Sequence, residues 1–468
     1  MIRFPRDMSS EEDTIAAIAT PMGQAGIGII RLSGPDSSQI AQRIFMPKRR
    51  HQALQSHRLY LGDLYDPSSG GLVDQVLLCL MKAPHSYTRE DVVEINSHSG
   101  YLLLSRILQV VLDQGARLAR PGEFTLRAFM NGRIDLTQAE AVTDLINARS
   151  DRGLELASRQ TKGSLRHAIE AVRQKGVDVL ARVEVAIDFP EEESGILSRE
   201  ETAEGIAAEI TGPVEALLKA HDNKRMWVDG VSTVIVGRVN VGKSSLLNRL
   251  LNEQRAIVTP VPGTTRDVIE STLAIEGLPL RLMDTAGFRE VDDEVEKIGI
   301  DLTEEKLSEA DFILALIDQS RPLDNQDRRM LARCGEKKAL VVINKIDLPS
   351  VLEEIRVQEM LSGLPSVRVS ALTGEGFGDL RRAIRECLLS ADKDLTGSPV
   401  APNLRHRKAL SKAFDFFGNA AARVREGAPM EIVALELKSG LDALGEIVGE
   451  TAPDEVLERV FSQFCLGK

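Results

Sequence analysis

A phosphate-binding pattern lies between Gly237 and Ser244, where the chain reads Gly-Arg-Val-Asn-Val-Gly-Lys-Ser. It fits G-x-x-x-x-G-K-[ST], in which glycines let backbone N–H groups point at phosphates, the lysine adds positive charge and the serine offers Mg²⁺ a hydroxyl. An apolar run at 234–236 precedes the pattern and a helix-like stretch at 245–251 follows it. Because the motif needs a strand before it and a helix after it, this setting favours a nucleotide site over a chance match in a loop.

Further polar motifs lie at the ends of predicted strands, and together they point to guanine. Asp284-Thr285-Ala286-Gly287 could hold Mg²⁺ through water and meet the γ-phosphate, and Thr264-Thr265-Arg266-Asp267 lies in a loop suited to a magnesium-sensing switch. In Asn344-Lys345-Ile346-Asp347, the carboxylate of Asp347 can accept two hydrogen bonds from guanine donors that adenine lacks. Ser370-Ala371 would close over the base. Each motif alone is typical of an ordinary turn, but this order predicts GTP.

The predicted nucleotide and magnesium contacts form one set. For Mg²⁺ we predict Ser244 and Thr265. The residues predicted to bind GTP are Asn240, Val241, Gly242, Lys243, Ser244, Ser245, Thr259, Pro260, Val261, Pro262, Gly263, Thr264, Thr265, Asp284, Thr285, Ala286, Gly287, Asn344, Lys345, Asp347, Ser370 and Ala371.

The position after Gly287 bears on hydrolysis, because many related switches carry a glutamine there to orient the attacking water. Here it is Phe288, which can neither orient water nor supply charge. Asn240 and backbone oxygens near Thr259, Val261 and Thr264 could instead hold a monovalent cation against the phosphates. The alternative for Asn240 is an amide that only stabilises the loop. Any acidic residue between 290 and 296 could orient water, and the residue pattern alone does not single one out.

Composition bounds the class of protein. The 468 residues include 43% hydrophobic and 27% charged residues with a formal net charge of −12, as in a soluble protein of about three domains. This acidity argues against a generic nucleic-acid binder. No apolar run approaches the roughly 18 residues of a membrane span, and no signal-peptide core is present. The four scattered cysteines lack metal-ligand spacing, so the sequence predicts a reducing, cytoplasmic location.

The predicted secondary structure changes in kind three times along the chain. Strand-like runs at 14–20, 28–32, 75–81 and 91–95 alternate with turns, and a helix is predicted at 102–112. A helical stripe follows to about 227, strand–helix alternation runs from 231 to 389, and helices return after 402. In the alternating region strands are predicted at 234–236, 268–275, 280–283, 312–317, 340–343 and 367–369. The simplest arrangement is a doubly wound α/β domain inserted between helices that pack into one bundle.

Nearly the whole chain resembles the tRNA-modification GTPases of the MnmE (TrmE) family. Outside the GTPase motifs, the resemblance rests on the opening segment 13–21, on 26–34, on Arg120-Pro-Gly-Glu-Phe-Thr125 and on the ending Phe464-Cys-Leu-Gly-Lys468. It implies a multidomain α/β plus α+β protein: an N-terminal α+β folate-binding and dimerising domain, and a P-loop GTPase domain inserted into an all-helical domain. We place these parts at 1–120, at 228–390, and at 121–227 with 391–468.

The same resemblance implies a function and its catalytic residues. Such proteins work with a flavoprotein of the MnmG (GidA) type to add a carboxymethylaminomethyl or aminomethyl group to C5 of the tRNA wobble uridine. Their GTPase domains associate during a potassium-dependent cycle, and the family's potassium ligand matches Asn240, joined by Thr259, Val261 and Thr264. Glu296 matches the water-orienting glutamate, and Arg266 is expected to stabilise the activated dimer.

The one-carbon donor implied by the family is 5-formyl- or methylene-tetrahydrofolate, which would bind in the N-terminal part of a homodimer. Arg31, Glu94, Arg133 and Lys468 match its folate contacts, although residue 133 is Arg where Lys is also familiar. Without the family resemblance, Arg31 and Glu94 would be interpreted as ordinary charged residues at the edges of strands. Cys465 is either a buried small side chain, which we favour, or a participant in the chemistry.

One rival function belongs to a different class: a GTP-gated assembly factor for the ribosome or another ribonucleoprotein, with hydrolysis as a timer. Such proteins usually append a basic RNA-binding unit to the GTPase domain. This acidic chain shows none, and the folate-like N-terminal part would have no purpose in that function. We therefore expect a tRNA-modifying GTPase with no membrane association.

Overall fold

The computed structural model describes residues 13–23, 25–49, 54–148, 150–189, 198–228, 230–253, 271–283, 309–335, 337–352, 361, 363–389, 400–464 and 466–468. The chain divides into two compact units. The first comprises 1–143, 160–214 and 408–468, and the second comprises 144–159 and 215–407. The chain thus leaves the first unit and returns to it. The finer domain boundaries remain a prediction.

The first unit contains a seven-stranded sheet in the order β3-β4-β5-β6-β2-β1-β7. Neighbours are antiparallel except β1 and β7. The strands are β1 Ile15–Ile18, β2 Gly28–Ser33, β3 Phe45–Pro47, β4 Arg58–Tyr65, β5 Leu72–Met81, β6 Val92–Ser97 and β7 Arg117–Leu118. Two helices accompany them, α1 Ser37–Ile44 and α2 Tyr101–Asp113.

The two faces of this sheet differ because side chains alternate along each strand. One face buries Ala16, Ile30 and Leu78 in a core with α1 and α2. On the opposite face, which we call the outer face, Ala17 pairs with Arg31 and Arg31 pairs with Glu94. Register therefore places the two predicted folate residues side by side.

Strand predictions in this sheet were right in kind but inexact at their ends, and β4 was missed. The predicted strand at 14–20 is shorter, Ile15–Ile18, whereas that at 75–81 begins earlier, at Leu72. Within β4, Leu59 and Leu61 are exposed while Tyr60 and Leu64 are buried. Because apolar residues occupy both faces, β4 lacks the polar–apolar alternation that reveals a half-buried strand.

Helices make up the rest of the first unit and the links to the second. They are α3 Glu123–Met130, α4 Leu136–Asn147, α5 Asp151–Thr161, α6 Ser164–Asp188, α7 Arg199–Ile206, a π-helical turn Ala207–Thr211 and α8 Gly212–Val228. The predicted stripe on α6 is confirmed, since Leu165, Ile169, Val172, Val179 and Val183 are all buried. Among the described helices, none is long and apolar enough to cross a membrane.

The second unit is built on a six-stranded sheet in the order β13-β12-β11-β8-β10-β9. Its strands are β8 Val231–Val236, β9 Ser271–Ile275, β10 Leu278–Leu282, β11 Phe312–Asp318, β12 Ala339–Asn344 and β13 Ser366–Arg368. Its helices are α9 Lys243–Glu253, α10 Asn325–Cys334 and α11 Phe377–Leu389. All neighbours are parallel except β9 and β10, so β8, β11 and β12 end at the same edge. This edge is where ligands bind in such sheets.

Three helices close the chain: α12 Leu404–Glu426, α13 Met430–Val448 and α14 Asp454–Phe461. Helix α13 packs against α6, and salt bridges Arg173–Glu450 at 2.7 Å and Lys438–Glu184 at 2.9 Å show that the two run antiparallel. The helices predicted after 402 are confirmed, and α13 buries an apolar stripe of Leu437, Leu441, Leu444 and Val448. Helices from before and after the second unit therefore share one packed interface.

An ion-pair network ties α3 to the start of β1. Arg127 contacts Asp13 at 2.5 Å and Glu123 at 3.2 Å, while Arg117 contacts Glu123 at 2.7 Å. Burial raises the pKa of both carboxyl groups, but the arginine hydrogen bonds outweigh it and hold the pKa of Asp13 and of Glu123 below their ordinary values. The network therefore stabilises the fold only while both carboxylates are ionised.

We predict that Arg127→Leu lowers the free energy of unfolding by about 2 kcal/mol at pH 7, because Asp13 and Glu123 lose charge-assisted hydrogen bonds and keep only Arg117 as an ion-pair partner. Both carboxyls have lowered pKa values in the fold, so their contribution is complete above the ordinary values near 4 and is lost as pH falls below them. The difference between wild type and variant should shrink in acid. Urea unfolding between pH 3 and 7 measures it, with the exposed pair variant Lys82→Met as control. A difference that is as large at pH 3 as at pH 7 contradicts the account.

Candidate guanine-nucleotide site

The predicted phosphate loop joins β8 to α9. All residues of β8 are buried, and α9 begins at Lys243. The Lys243 ammonium donates hydrogen bonds to the carbonyl oxygens of Gly237 at 2.7 Å and Arg238 at 2.8 Å, and burial lowers its pKa. The loop thus wraps around its own lysine at a helix N-terminus, where backbone N–H groups and the helix dipole favour anions.

Two residues of this loop adopt left-handed backbone conformations. Gly242 has φ +99°, and a side chain there would collide with the amide nitrogen of Asn344. Asn240 has φ +64° and is exposed. Asparagine tolerates this conformation better than most residues, so the backbone gives Asn240 a structural role in the loop, in line with the alternative that the sequence leaves open. Ser244 and Ser245 are also exposed, at the start of α9.

Asn344 connects the phosphate loop to the predicted base-binding loop. Its buried side-chain amide donates to the carbonyl oxygen of Val241 at 2.8 Å. Its side-chain oxygen accepts a hydrogen bond from the backbone N–H of Ala371 at 3.0 Å. One side chain at the end of β12 therefore fixes the spacing between two loops that would hold opposite ends of a nucleotide.

The other predicted base-side residues are brought together here. The Ser370 hydroxyl donates to Asp347 Oδ1 at 2.6 Å, which orients the carboxylate predicted to read guanine. Lys345, with φ +67°, donates through Nζ to Asp318 Oδ2 at 2.6 Å. Burial would raise the pKa of Asp318, yet hydrogen bonds from Lys345 and Ser320 keep it below its ordinary value. Asp318 is therefore ionised and holds Lys345 in place.

Asp318 is a site residue that the sequence analysis missed. It ends β11, whose residues are all buried, and it lies opposite Asn344 in the parallel register. A carboxylate that ends an otherwise apolar strand was the signal that could have identified it. Cross-strand register is not visible in one sequence, so its contact with Lys345 could not be predicted.

The remaining predicted contacts of this site lie outside the described residues. They are Thr259, Pro260, Val261, Pro262, Gly263, Thr264, Thr265, Arg266, Asp284, Thr285, Ala286, Gly287 and Glu296. Cys465 is outside them as well. In the part of the chain that is described, no cluster of three or more His, Cys, Asp or Glu residues could hold a metal ion.

A second group of predicted residues lies on the outer face of the first unit. Arg31 Nε lies 2.9 Å and Nη2 2.8 Å from Glu94 Oε1, and Arg31 Nη1 donates to the carbonyl oxygen of Gly467 at 3.1 Å. The guanidinium lies 5.8 Å from the ring centroid of Phe124. The C-terminal tail that carries Lys468 is thereby bound beside Arg31 and Glu94.

The fourth predicted folate residue, Arg133, packs over Tyr87 at 4.6 Å from the ring centroid and donates to the Tyr87 carbonyl oxygen at 3.0 Å. Tyr87 packs on the small core that contains Phe124. Arg133 and Arg31 are thus linked through Tyr87 and Phe124. Lys468 is half-buried.

Comparisons with known proteins identify the family of this chain. The family model described as the MnmE helical domain matches residues 136–465, and that of the GTP-binding protein TrmE N-terminus matches 14–133. The second match extends past the predicted domain boundary at 120. Helix α3 explains this, because its Phe124 is buried with Ile15 and Ala17 of β1.

Curated relatives match the chain over nearly its whole length. The tRNA modification GTPase MnmE of Geobacter metallireducens is 50% identical over 462 residues, which are 98% of this chain and 99% of the relative. The protein of that name from Carboxydothermus hydrogenoformans is 45% identical over 460 residues, 98% of this chain and 100% of the relative. Among solved structures, the G domain of the T. maritima FeoB iron transporter is 26% identical, with 34% of this chain and 98% of that one covered and a TM-score of 0.26. On the family models and the full-length relatives, this chain belongs to the MnmE family of tRNA modification GTPases.

Proposed function

We propose that this GTPase is stimulated by potassium and works with a flavoprotein of the MnmG (GidA) type in the cytoplasm. Together they would add a carboxymethylaminomethyl or aminomethyl group to C5 of the wobble uridine of tRNA. Family membership establishes GTP hydrolysis and a role in tRNA modification. The observation that carries the nucleotide part is the Asn344 side chain, which joins the Lys243 loop to the Ser370–Ala371 loop.

GTP would bind with its phosphates at α9 and its base at the ends of β12 and β13. Lys243 would turn from its loop carbonyls toward the phosphates, which supply a stronger partner for its ammonium. Asp347, oriented by Ser370, would accept from guanine N1–H and the exocyclic amine. The Ser244 hydroxyl, exposed on the first turn of α9, suits Mg²⁺, and Thr265 would be a second ligand. Magnesium neutralises charge that develops on the phosphates.

Hydrolysis would depend on a cation bound by Asn240, because the position after Gly287 lacks the glutamine that many related GTPases carry. Asn240 is exposed in the phosphate loop, so its side-chain oxygen is accessible to a potassium ion. Thr259, Val261 and Thr264 would supply the other oxygen ligands of that ion. A cation held there offsets charge much as an arginine finger does. Glu296 would orient the attacking water, and Arg266 would stabilise the paired GTPase domains.

The outer face of the first unit suits the proposed folate site. Arg31 and Glu94 offer a cation and a carboxylate for a polar ring, and Arg133 and Lys468 would meet carboxylates. The carbon unit would come from 5-formyl- or methylene-tetrahydrofolate bound there.

The same outer face supports the proposed homodimer. Leu59, Leu61 and Leu77 have 63%, 49% and 40% of their surfaces exposed. Leu59 pairs with Cys79, and Cys79 pairs with Glu94, so these leucines continue from the folate residues across the sheet. Contiguous exposed leucines mark an interaction surface, and a second copy of the chain is the partner that we propose.

We predict that GTP turnover is at least tenfold faster in potassium than in sodium at equal ionic strength, because oxygen ligands at Asn240 fit the larger ion. Asn240→Gly keeps the left-handed backbone but removes the side-chain oxygen, and it should abolish the difference. Steady-state phosphate release in the two salts measures it. Equal rates of phosphate release by the wild-type protein in both salts would contradict the potassium mechanism.

We predict that a strain lacking this protein loses the modified wobble uridine, as measured by mass spectrometry of tRNA nucleosides. The wild-type gene should restore it. The Glu296→Ala variant should bind GTP normally, hydrolyse it at least a hundredfold more slowly and fail to restore it, because no group orients the water. Normal nucleosides in the strain without the protein would instead favour the assembly-factor function.

A further inference from the structure

The base loop, residues 370–376, is held on one side by contacts from β12 and the turn after it. Ser370 donates to Asp347, and the Ala371 N–H donates to Asn344. Inside the loop, the Gly374 N–H donates to the Ser370 carbonyl oxygen at 2.8 Å. Beyond Ala371 the loop turns outward, and Leu372 has 78% of its surface exposed. Besides contacts within the loop, such as that from the Thr373 N–H to the Ser370 hydroxyl at 3.0 Å, the outer half has a partner from another element.

Arg249 of α9 supplies that partner. Its Nη1 donates to the carbonyl oxygen of Leu372 at 3.0 Å and its Nη2 to that of Thr373 at 2.9 Å. Two donors of one planar guanidinium thus bind two successive carbonyls, a geometry that a lysine ammonium cannot reproduce. The guanidinium also lies 5.9 Å from the ring centroid of Phe377, the buried first residue of α11.

Gly374 shows that the loop is shaped around this guanidinium. Its φ is +90°, and a Cβ at this position would collide with Nη2 of Arg249. Glycine is needed here for its backbone conformation, and the absence of a Cβ lets Arg249 approach closely. The arginine does not lie loosely on the surface of the loop but occupies space that a side chain would fill.

We propose that Arg249 is a positioning residue for guanine binding. Helix α9 carries Lys243 at its first position and Arg249 six residues later, roughly 9 Å along the helix axis. One rigid element thereby holds the phosphate loop at one end and the base loop further along. Arg249 keeps Ser370 where it orients Asp347, so the phosphate and base ends of the site are preorganised together.

The first test compares Arg249→Ala and Arg249→Lys with Arg382→Ala, which removes an exposed arginine paired with Asp379 on α11. Calorimetric titration gives Kd for GDP and for a non-hydrolysable GTP analogue, and phosphate release gives KM and kcat. We expect Arg249→Ala to raise both Kd values and KM about tenfold, because two charge-assisted hydrogen bonds are lost. The kcat should stay within twofold, since the hydrolytic groups lie elsewhere. Arg249→Lys should be intermediate, and Arg382→Ala should match wild type.

The second test separates positioning from folding. Gly374→Ala should also raise both Kd values, because its Cβ displaces the guanidinium. The double variant Arg249→Ala/Gly374→Ala should be weakened by less than the product of the single effects, because the collision with the guanidinium is absent there and only the strain of alanine at φ +90° remains. Thermal unfolding without nucleotide establishes that each variant is folded. Unchanged Kd values in folded Arg249→Ala would overturn the proposal.

Discussion

The nucleotide site depends on one buried side chain, Asn344. Its amide binds the Val241 carbonyl oxygen and its oxygen accepts from the Ala371 N–H, so both ends of a planar group are used. Because an unpaired buried polar group costs about 1–3 kcal/mol, neither loop can move alone without that loss. The distance between phosphate-binding and base-binding groups is therefore set by the protein before a ligand arrives.

The sheet makes this connection possible. Strands β8, β11 and β12 are parallel, and polar residues follow buried apolar runs at their common edge. Asp318 from β11 holds Lys345, and Ser370 after β13 holds Asp347. Arg249 then joins α9 to the outer half of the base loop. The motifs of the sequence thus become one site through side chains that connect neighbouring strand ends.

The sequence was informative where the physical constraint is local. Lys243 and Gly242 belong to a motif whose spacing is dictated by the loop itself, and Asp347 belongs to another. Residue patterns alone could not predict contacts between distant segments. Arg31 and Gly467 are 436 residues apart, and only the family resemblance placed Arg31 in one site with the C-terminal Lys468. No pattern pairs Arg249 with Leu372. The β4 strand was missed because Leu59 and Leu61 face outward. Exposed leucines hide the alternation by which a strand is recognised, but they also indicate an interaction surface.

The central claim is that Asn344 sets the geometry of both nucleotide-binding loops. It is tested most directly by hydrogen exchange at the Ala371 amide, together with GDP affinity, in wild type and Asn344→Ala. The account predicts faster exchange at Ala371 in the nucleotide-free variant and a Kd for GDP raised at least tenfold, because the amide loses its acceptor and Val241 loses its donor. Unchanged exchange and affinity in a folded variant would contradict it.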